Sequence, residues 1–290
     1  MESVKTIRAV ERAFDVLAAL QRMPDGATLT ELRGLTGLSG PTLLRLLKTL
    51  IGVKAVRRST TDERYRNAIR LNMLASAATP VDRFADIAAP WLDRLCQQAE
   101  WPSDLAIHRE DDDCMMVLES SLRQSRFFVR RSFGRVRVNL LGSAAGMAFL
   151  SALQRKRRDG LVQACRTGRD VHNLGVIAAN DLESLVGAVH ARGYASRHRL
   201  YRGGGYNAPA RDDALHAIAV PIIVDQWVLG ALNINWNRTA MTEAQMVRRH
   251  LRHLQATAEA IGVDAARLGL LDELKRSAVT EHLDNARMTA

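Results

Sequence analysis

The segment TLTELRGLTGLSGPTLLRLLKTL constrains the fold of this chain most, because its pattern predicts two short helices around a tight turn. Thr28 and Glu31 have the spacing of a capping box, which satisfies the first free amides of a helix. Gly37 can adopt the left-handed conformation that a tight turn between helices requires. Ser39 is a residue type that commonly caps a helix. The segment therefore predicts a helix-turn-helix whose second helix begins after Ser39.

The predicted second helix has one apolar face and one polar face. Its leucines recur at i, i+3, i+4 and i+7, at Leu43, Leu46, Leu47 and Leu50. Thr42, Arg45 and Lys48 point away from this stripe, and a helix that enters the major groove of DNA needs such a polar, partly basic face. An arginine that binds the edge of a guanine contributes roughly 1–3 kcal/mol of discrimination. We therefore expect Arg45→Ala to relax the preference for particular DNA sequences.

A basic hairpin is predicted directly after the helix pair. Residues 55–58 and 64–67 have the character of short strands on either side of a polar turn. The hairpin carries four arginines, namely Arg57, Arg58, Arg64 and Arg66. A helix-turn-helix followed by such a hairpin is typical of a winged DNA-binding domain. We expect Arg58→Ala to reduce mainly the salt dependence of DNA binding.

The positive charge of the chain is concentrated in its first quarter. Residues 1–75 contain 13 Lys and Arg against 7 Asp and Glu, whereas the remaining residues contain 28 against 24. Such an excess is expected of a surface that neutralises phosphates. A small helical domain with an ordinary solvated basic face remains the alternative. The predicted DNA contacts are Ser39, Gly40, Thr42, Arg45, Lys48, Arg57, Arg58, Arg64 and Arg66.

Several segments, taken in order, resemble the IclR-type bacterial transcriptional regulators. These are AVERAFDVLAALQ, the helix-turn-helix, the hairpin ending in RYRN, IAAPWLDRLCQQAEWPSDLAI, LGSAAGMAFLSAL, HARGYA and HAIAVPIIVDQWVLGALNINW. The resemblance implies a homodimer or homotetramer that binds double-stranded operator DNA and a small organic acid. The WPSD string and the helix TEAQMVRRHLRHLQ resemble the activators of aromatic-acid catabolism, such as that of 3-hydroxyphenylpropionate. An activator implies a contact with RNA polymerase, but the same parts serve a repressor, which stays an open alternative.

Strands and helices interleave after the hairpin, which predicts an α+β class with a central antiparallel sheet. Pro90 indicates a kink or a restart within an amphipathic helix, and Asp225 with Gln226 indicates a two-residue hairpin. An N-terminal helix is predicted to cover the helix pair through Ile7, Val10, Phe14 and Leu17. The predicted domains, named after the family, are a winged helix-turn-helix domain (1–75), a linker helix (76–98), a GAF-like effector domain (99–265) and a C-terminal helical tail (266–290).

A run of small residues at 142–146 indicates where a ligand binds in the second domain. Small side chains let a ligand approach backbone amides, and the start of a helix favours an anion. Close packing of the helix on a sheet remains an equal alternative on the residues alone. The resemblance assigns effector contacts to Ala144 and Ala145, through the AGMAFL string, and pocket-lining strand positions to Leu215 and Ala217.

Polar side chains near this run provide further candidates. Asn233 and Asn235 lie two residues apart on a predicted strand, so both point to the same face. If they point inward they need partners, which a bound acid can supply; the alternative is that they face water. Arg197 stands where the family often has an acidic residue, and a guanidinium can bind a carboxylate with two hydrogen bonds. Arg135 and Arg137 are rival partners for such a carboxylate.

Other kinds of site are disfavoured by the sequence. The three cysteines are far apart, and the eight histidines do not pair with a cysteine or with a serine in a nucleophile motif, so no catalytic residue, cofactor or metal site is predicted. An enzyme domain fused to a DNA-binding module stays a lesser alternative. The longest uncharged stretch, residues 138–154, is too short and too polar to span a bilayer, and no signal peptide is visible. We therefore expect a cytoplasmic protein without a membrane partner.

Overall fold

The computed structural model describes seven stretches of the chain, namely residues 5–68, 79–108, 113–127, 136–168, 170–179, 182–203 and 212–275. They belong to two compact units, Met1–Thr79 and Pro80–Ala290. Along the described part of the chain, no helix combines the length and the apolar character that crossing a membrane requires.

The N-terminal unit consists of three helices and a short hairpin. Its elements are α1 (Arg8–Gln21), α2 (Leu29–Thr36), α3 (Gly40–Gly52), β1 (Val56–Arg58) and β2 (Tyr65–Asn67). The two strands pair antiparallel, and an isolated bridge joins Ala27 to Tyr65. One apolar core holds the unit together and includes Val16, Leu20, Leu32, Leu43, Leu47, Val56 and Tyr65. The hairpin is therefore attached to the helices through its own buried residues.

The turn between α2 and α3 has the predicted geometry. The amide of Glu31 donates to Thr28 Oγ1 at 3.2 Å, and the amide of Thr28 donates to Glu31 Oε2 at 2.7 Å, so the capping box is closed. Gly37 is left-handed, with φ 64° and ψ 8°. Ser39 is the N-cap residue of α3, but its hydroxyl donates to Thr42 Oγ1 at 2.9 Å and accepts from no amide of the described helix. The helix-turn-helix prediction is confirmed, and only the side-chain cap at Ser39 differs.

The face of α1 that packs on the other helices is not the predicted one. Ile7, Val10 and Phe14 have 69%, 51% and 66% of their surface exposed. The helix packs instead through Val16 and Leu20, which are buried. Apolar residues occur on two sides of this helix, so the spacing alone did not distinguish the face that meets the core. Of the four residues predicted to cover the helix pair, only Leu17 packs against the core, so the prediction was wrong for Ile7, Val10 and Phe14.

The C-terminal unit is built around an antiparallel sheet. Its strands are β3 (Ser103–His108), β4 (Cys114–Ser120), β5 (Arg137–Asn139), β6 (Ala195–Ser196), β7 (Leu215–Val224) and β8 (Trp227–Asn237), in the order β5-β4-β3-β8-β7-β6. Its helices are α4 (Pro80–Ala99), α5 (Ala144–Ala152), α6 (Arg155–Thr167), α7 (Val171–Ala179), α8 (Leu182–Arg192) and α9 (Glu243–Arg267). This arrangement confirms the predicted α+β class with a central antiparallel sheet.

The two faces of the sheet contact different helices. Leu232 and Ile234 of β8 belong to a core that also contains residues of α4 and α9. Ala231 belongs to a second core, which is formed largely with the small and apolar residues of α5. Because strand side chains alternate between faces, Asn233 and Asn235 lie on the α5 side. The sheet therefore presents its polar residues to the helix with the small-residue run.

Some local predictions hold and others do not. The hairpin at Asp225 and Gln226 is confirmed, since both residues have positive φ, 45° and 70°, as a two-residue primed turn requires. Pro90 causes no restart, because α4 runs without a break across it. Helices α6 and α7 were not predicted. Helix α9 ends at Arg267, a helical turn follows at 270–275, and the rest of the predicted tail lies outside the described residues.

Candidate functional site

Helix α3 presents a basic outer face because its leucines are occupied in the core. Leu43, Leu47 and Leu50 are buried, whereas Arg45 and Lys48 are exposed. Neither cation has an acidic partner among the described residues of the unit. Thr42 is partly exposed on the same polar side of the helix. The helix therefore offers two uncompensated positive charges together with a hydroxyl.

Arg33 is a basic residue at this surface that sequence reasoning missed. Its Cδ and Nε lie 4.0 Å from the position that a Cβ on Gly40 would occupy, so the side chain lies beside the first turn of α3. Arg33 itself is exposed. Arg33 lies in the last turn of α2, and the tight turn brings that end of α2 to the start of α3. This position in the sequence could have predicted a basic residue beside α3.

Two of the four hairpin arginines are engaged inside the domain. Arg64 Nη1 donates to the carbonyl of Gly26 at 2.8 Å and to Glu31 Oε2 at 3.1 Å. Arg66 forms an ion pair with Asp62 at 2.6 Å, and the same Nη2 donates to the carbonyl of Asp25. These bonds attach the hairpin to the helical part of the unit. Arg64 and Arg66 therefore have a structural role, which corrects the prediction that they contact phosphates.

Arg57 and Arg58 differ in whether an acidic side chain compensates their charge. Arg58 forms an ion pair with Glu63, and its guanidinium carbon lies 5.6 Å from the ring centroid of Tyr65. Arg57 is exposed, and the described residues provide it with no acidic partner. Arg57 is therefore the hairpin cation that is most available to a phosphate.

This difference changes the prediction made for the salt dependence. We expect Arg57→Ala to reduce the slope of log binding constant against log salt concentration by about 1, because one phosphate contact is lost. Arg58→Ala should reduce the slope less, since Glu63 already compensates that charge. Fluorescence anisotropy with one duplex between low and moderate salt measures both slopes. Equal slopes for Arg57→Ala and the wild type would contradict the assignment.

Glu31 makes the stability of the N-terminal unit dependent on pH. The pKa of Glu31 is lowered from its usual value, first by the hydrogen bond from the Thr28 amide, then by the Thr28 hydroxyl and Arg64. The ionised carboxylate therefore stabilises the fold above the usual pKa, and this contribution is lost as the pH falls through the lowered pKa. Glu31→Gln should reduce the melting temperature at pH 7, and the difference from wild type should shrink toward pH 3. A constant difference across that range would contradict this role.

The start of α5 combines buried small residues with free backbone amides. Ala144 and Ala145 are buried, with 2% and 1% of their surface exposed. The hydroxyl of Ser143 caps the helix by accepting from the amide of Gly146 at 3.0 Å. Within the described residues, the amides of Ala144 and Ala145 have no acceptor. Buried amides at a helix start favour an anionic acceptor.

Side-chain amides hold the turn that leads into α5. Asn173 Oδ1 accepts from the amide of Leu141 at 2.9 Å, and the amide of Gly142 donates to Asn139 Oδ1. Asn139 in turn donates to Asp170, which also accepts from the amides that begin α7. All of these polar side chains are buried. A buried network of hydrogen bonds therefore holds the turn that positions the α5 amides.

Asn233 and Asn235 are buried and have partners within the protein. Each has 8% of its surface exposed, so the alternative that they face water does not apply. Asn235 Nδ2 donates to Asp104 Oδ2 at 2.6 Å and to Asn233 Oδ1 at 3.1 Å. Asn233 Oδ1 also accepts from the amide of Asp104 at 3.0 Å, and Ser120 donates to the same carboxylate at 2.6 Å. A bound acid is therefore not required as a partner, contrary to expectation.

Arg197 is engaged by a carboxylate of the protein itself. Its Nη2 lies 2.7 Å from Asp213, its Nη1 donates to the carbonyl of Leu215 at 2.9 Å, and only 9% of its side chain is exposed. The guanidinium also lies 4.7 Å from the ring centroid of Tyr201. Arg197 therefore ties its segment to the start of β7, which corrects its predicted role as a ligand partner. Arg135, its rival, lies outside the described residues.

Ala217 and Leu215, the two predicted pocket-lining residues of β7, are buried in different cores. Ala217 shares one core with Ala144 and Ala145, as the predicted pocket requires. Leu215 is buried in the other core. Among the described residues, no group of three or more His, Cys, Asp or Glu side chains is arranged to hold a metal ion.

Comparison with known proteins gives one family-model match in the N-terminal unit and several structures with a similar fold. Residues 9–60 match the family model of the IclR helix-turn-helix domain. The fold is similar to that of an IclR homolog from Microbacterium sp. strain HM58-2, with a TM-score of 0.53, 18% identity, and 89% of this chain and 98% of that chain covered. An IclR family transcriptional regulator from Brucella abortus gives a TM-score of 0.50, 19% identity and coverage of 90% and 93%. An IclR homolog from Microbacterium hydrocarbonoxydans, complexed with 4-hydroxybenzoate, gives a TM-score of 0.50 and 18% identity, with 89% of this chain and 99% of that chain covered.

Proposed function

We propose that this chain is an IclR-family transcriptional regulator. It binds operator DNA through the outer face of α3 and changes its DNA binding when a small carboxylic acid binds at the start of α5. The observation that carries the proposal is the pair of uncompensated cations, Arg45 and Lys48, on a helix whose leucines are buried. A helix with its apolar side occupied and its basic side free fits the major groove, where an arginine reads base edges.

The contacts divide into two kinds. Thr42 and Arg45 lie in the first half of α3, the part of a recognition helix that meets base edges. Lys48, Arg57 and Arg33 supply charge for phosphates, which positions the domain without reading sequence. Ser39 and Gly40, at the start of α3, leave room for the backbone of the duplex to approach. This division predicts that two side chains determine the sequence specificity of DNA binding, whereas the three cations contribute mainly to its affinity.

A second copy of the chain binds the other half-site of the operator. Ile7, at the N-cap of α1, and Val10 and Phe14 within the helix form an exposed apolar stripe, which we call the α1 stripe. Clusters of this kind are often covered in an oligomer. A dimer binds two half-sites about one helical turn of DNA apart, or a multiple of it in a tetramer. Phe14→Glu should therefore weaken self-association in analytical ultracentrifugation, whereas Arg12→Gln, at an exposed position on another face of the same helix, should not. Unchanged association of Phe14→Glu would argue against the α1 stripe as an interface.

The effector is a small acid whose carboxylate accepts from the amides of Ala144 and Ala145. Both amides are buried at a helix start, where a carboxylate is stabilised by hydrogen bonds and by the helix dipole. Ala217 on the facing sheet belongs to the same apolar core as these two alanines, so in this proposal it contacts the apolar body of the acid. We propose an aromatic acid because the sequence resembles the activators of aromatic-acid catabolism. The relative that was complexed with 4-hydroxybenzoate makes that compound the first to test.

The resemblance favours an activator over a repressor. Such an activator acts in the cytoplasm and contacts RNA polymerase. The effector acts by its different affinity for two arrangements of the protein, which shifts their populations. A duplex selected from random sequences by the purified protein, placed upstream of a promoter, allows transcription to be measured with and without 4-hydroxybenzoate and 3-phenylpropionate. Increased transcription supports an activator, and relief of inhibition identifies a repressor. DNA binding that responds to no aromatic acid would contradict the proposed effector.

A further inference from the structure

A groove separate from the start of α5 lies among helices α6, α7 and α8. It has a volume of about 340 Å³, within the range of sites that bind small organic molecules. Its floor is formed by Leu141, Val162 and Val176, which are buried. Half-buried apolar side chains form part of its walls, namely Ile177, Leu182 and Leu185. The groove is therefore concave, and its lining combines an apolar floor with polar and charged side chains.

Among the described residues, the charges that line the groove are paired except for one. Arg155 lies 3.8 Å from Asp159, and Glu183 forms an ion pair with Arg158 at 2.8 Å. Arg166 also lines the groove and has no acidic partner among the described residues. It lies four residues after Val162 on α6, so both side chains occupy the same face of that helix. One free guanidinium therefore stands beside the apolar floor.

We propose that this groove is a second ligand site, which takes a monoanionic carboxylic acid with an apolar body. The body removes the apolar floor from water, and the carboxylate binds the guanidinium of Arg166. A dianion is disfavoured because Asp159 and Glu183 also line the rim. A neutral aromatic compound loses the charged contact and binds more weakly. The site takes the same ligand chemistry as the proposed effector site but uses none of its residues.

Calorimetric titration of the full chain with benzoate and with neutral benzyl alcohol tests this site. Arg166→Gln should weaken one class of benzoate sites by about tenfold, because a charge-assisted hydrogen bond is lost. Gln163→Trp, at an exposed position that lines the groove, should abolish that class by filling the space. Arg157→Gln removes an exposed arginine of α6 that does not line the groove and should change nothing.

The outcomes separate this site from the one at α5. Two benzoate sites, of which one responds to Arg166→Gln and Gln163→Trp, support both proposals. A single site that responds to both variants supports the groove and contradicts the α5 effector site for benzoate. Binding that neither variant changes, or the absence of any benzoate binding, overturns the groove proposal. Benzyl alcohol that binds the groove as tightly as benzoate does would overturn the role of Arg166.

Discussion

Gly146→Ala should reduce the free energy of unfolding of the C-terminal unit by roughly 3 kcal/mol, because there is no space for a methyl group. A Cβ at this position would lie 1.9 Å from the carbonyl oxygen of Leu140 and 2.6 Å from its carbonyl carbon. Both are backbone atoms, so no side-chain rotation can relieve the contact. The turn before α5, or α5 itself, must move. Since the amides of Ala144 and Ala145 begin that helix, the response to the effector should be lost as well.

Tryptophan fluorescence during denaturation measures this effect in the correct unit. All four tryptophans, Trp91, Trp101, Trp227 and Trp236, lie in the C-terminal unit. Gly160→Ala is the matched control, since a Cβ there meets nothing within 4 Å and the residue lies inside α6. Alanine in place of glycine within a helix should stabilise by about 0.5–1 kcal/mol. Similar denaturation midpoints for the two variants would contradict the close approach of α5 to the turn at Leu140.

Arg45→Ala should reduce the discrimination between operator and unrelated DNA by roughly 1–3 kcal/mol, or about 5- to 150-fold. Arg45 is exposed on α3, and the described residues offer it no acidic partner, so nothing in its own unit competes with a guanine edge. Binding to unrelated duplexes should weaken much less, because only one charge is removed. Competition titrations with a selected operator and a scrambled duplex measure the ratio.

Arg22→Ala is the control for this loss of discrimination. It removes the same charge from the same unit, at an exposed position at the end of α1. The ratio between operator and scrambled duplex should remain at its wild-type value. A variant Arg45→Ala that lost affinity equally for both duplexes would mean that this arginine contacts phosphates alone.

The helix-turn-helix could be predicted because its signals are local. The capping box of Thr28 and Glu31, the turn at Gly37 and the leucine spacing of α3 all lie within a few residues of one another. The two-residue hairpin between β7 and β8 follows from Asp225 and Gln226 for the same reason. The sequence pattern did not predict helix α6, because its short buried stripe, at residues 158, 162 and 165, lies among many charged residues.

The roles of the arginines could not be predicted, because they depend on contacts between distant residues. Arg64 binds Glu31, 33 positions away, and Arg197 binds Asp213, 16 positions away. In the sequence alone, each of these arginines is indistinguishable from Arg45 or Arg57, which no acid compensates among the described residues. The same holds for Asn233 and Asn235, whose partner Asp104 lies on a neighbouring strand. The predicted site therefore included residues that serve the fold, and the DNA contacts of Arg45 and Arg57 remain a prediction.

Photo-crosslinking from position 44 tests most directly whether α3 lies against DNA. Leu44 is 48% exposed on the helix and adjoins Arg45, so a photoreactive phenylalanine derivative there should crosslink to a selected duplex. The same derivative in place of Val263, which is 61% exposed on α9, should not. We expect strong crosslinking from position 44 that excess operator suppresses. Crosslinking from position 263 with none from position 44 would contradict the account.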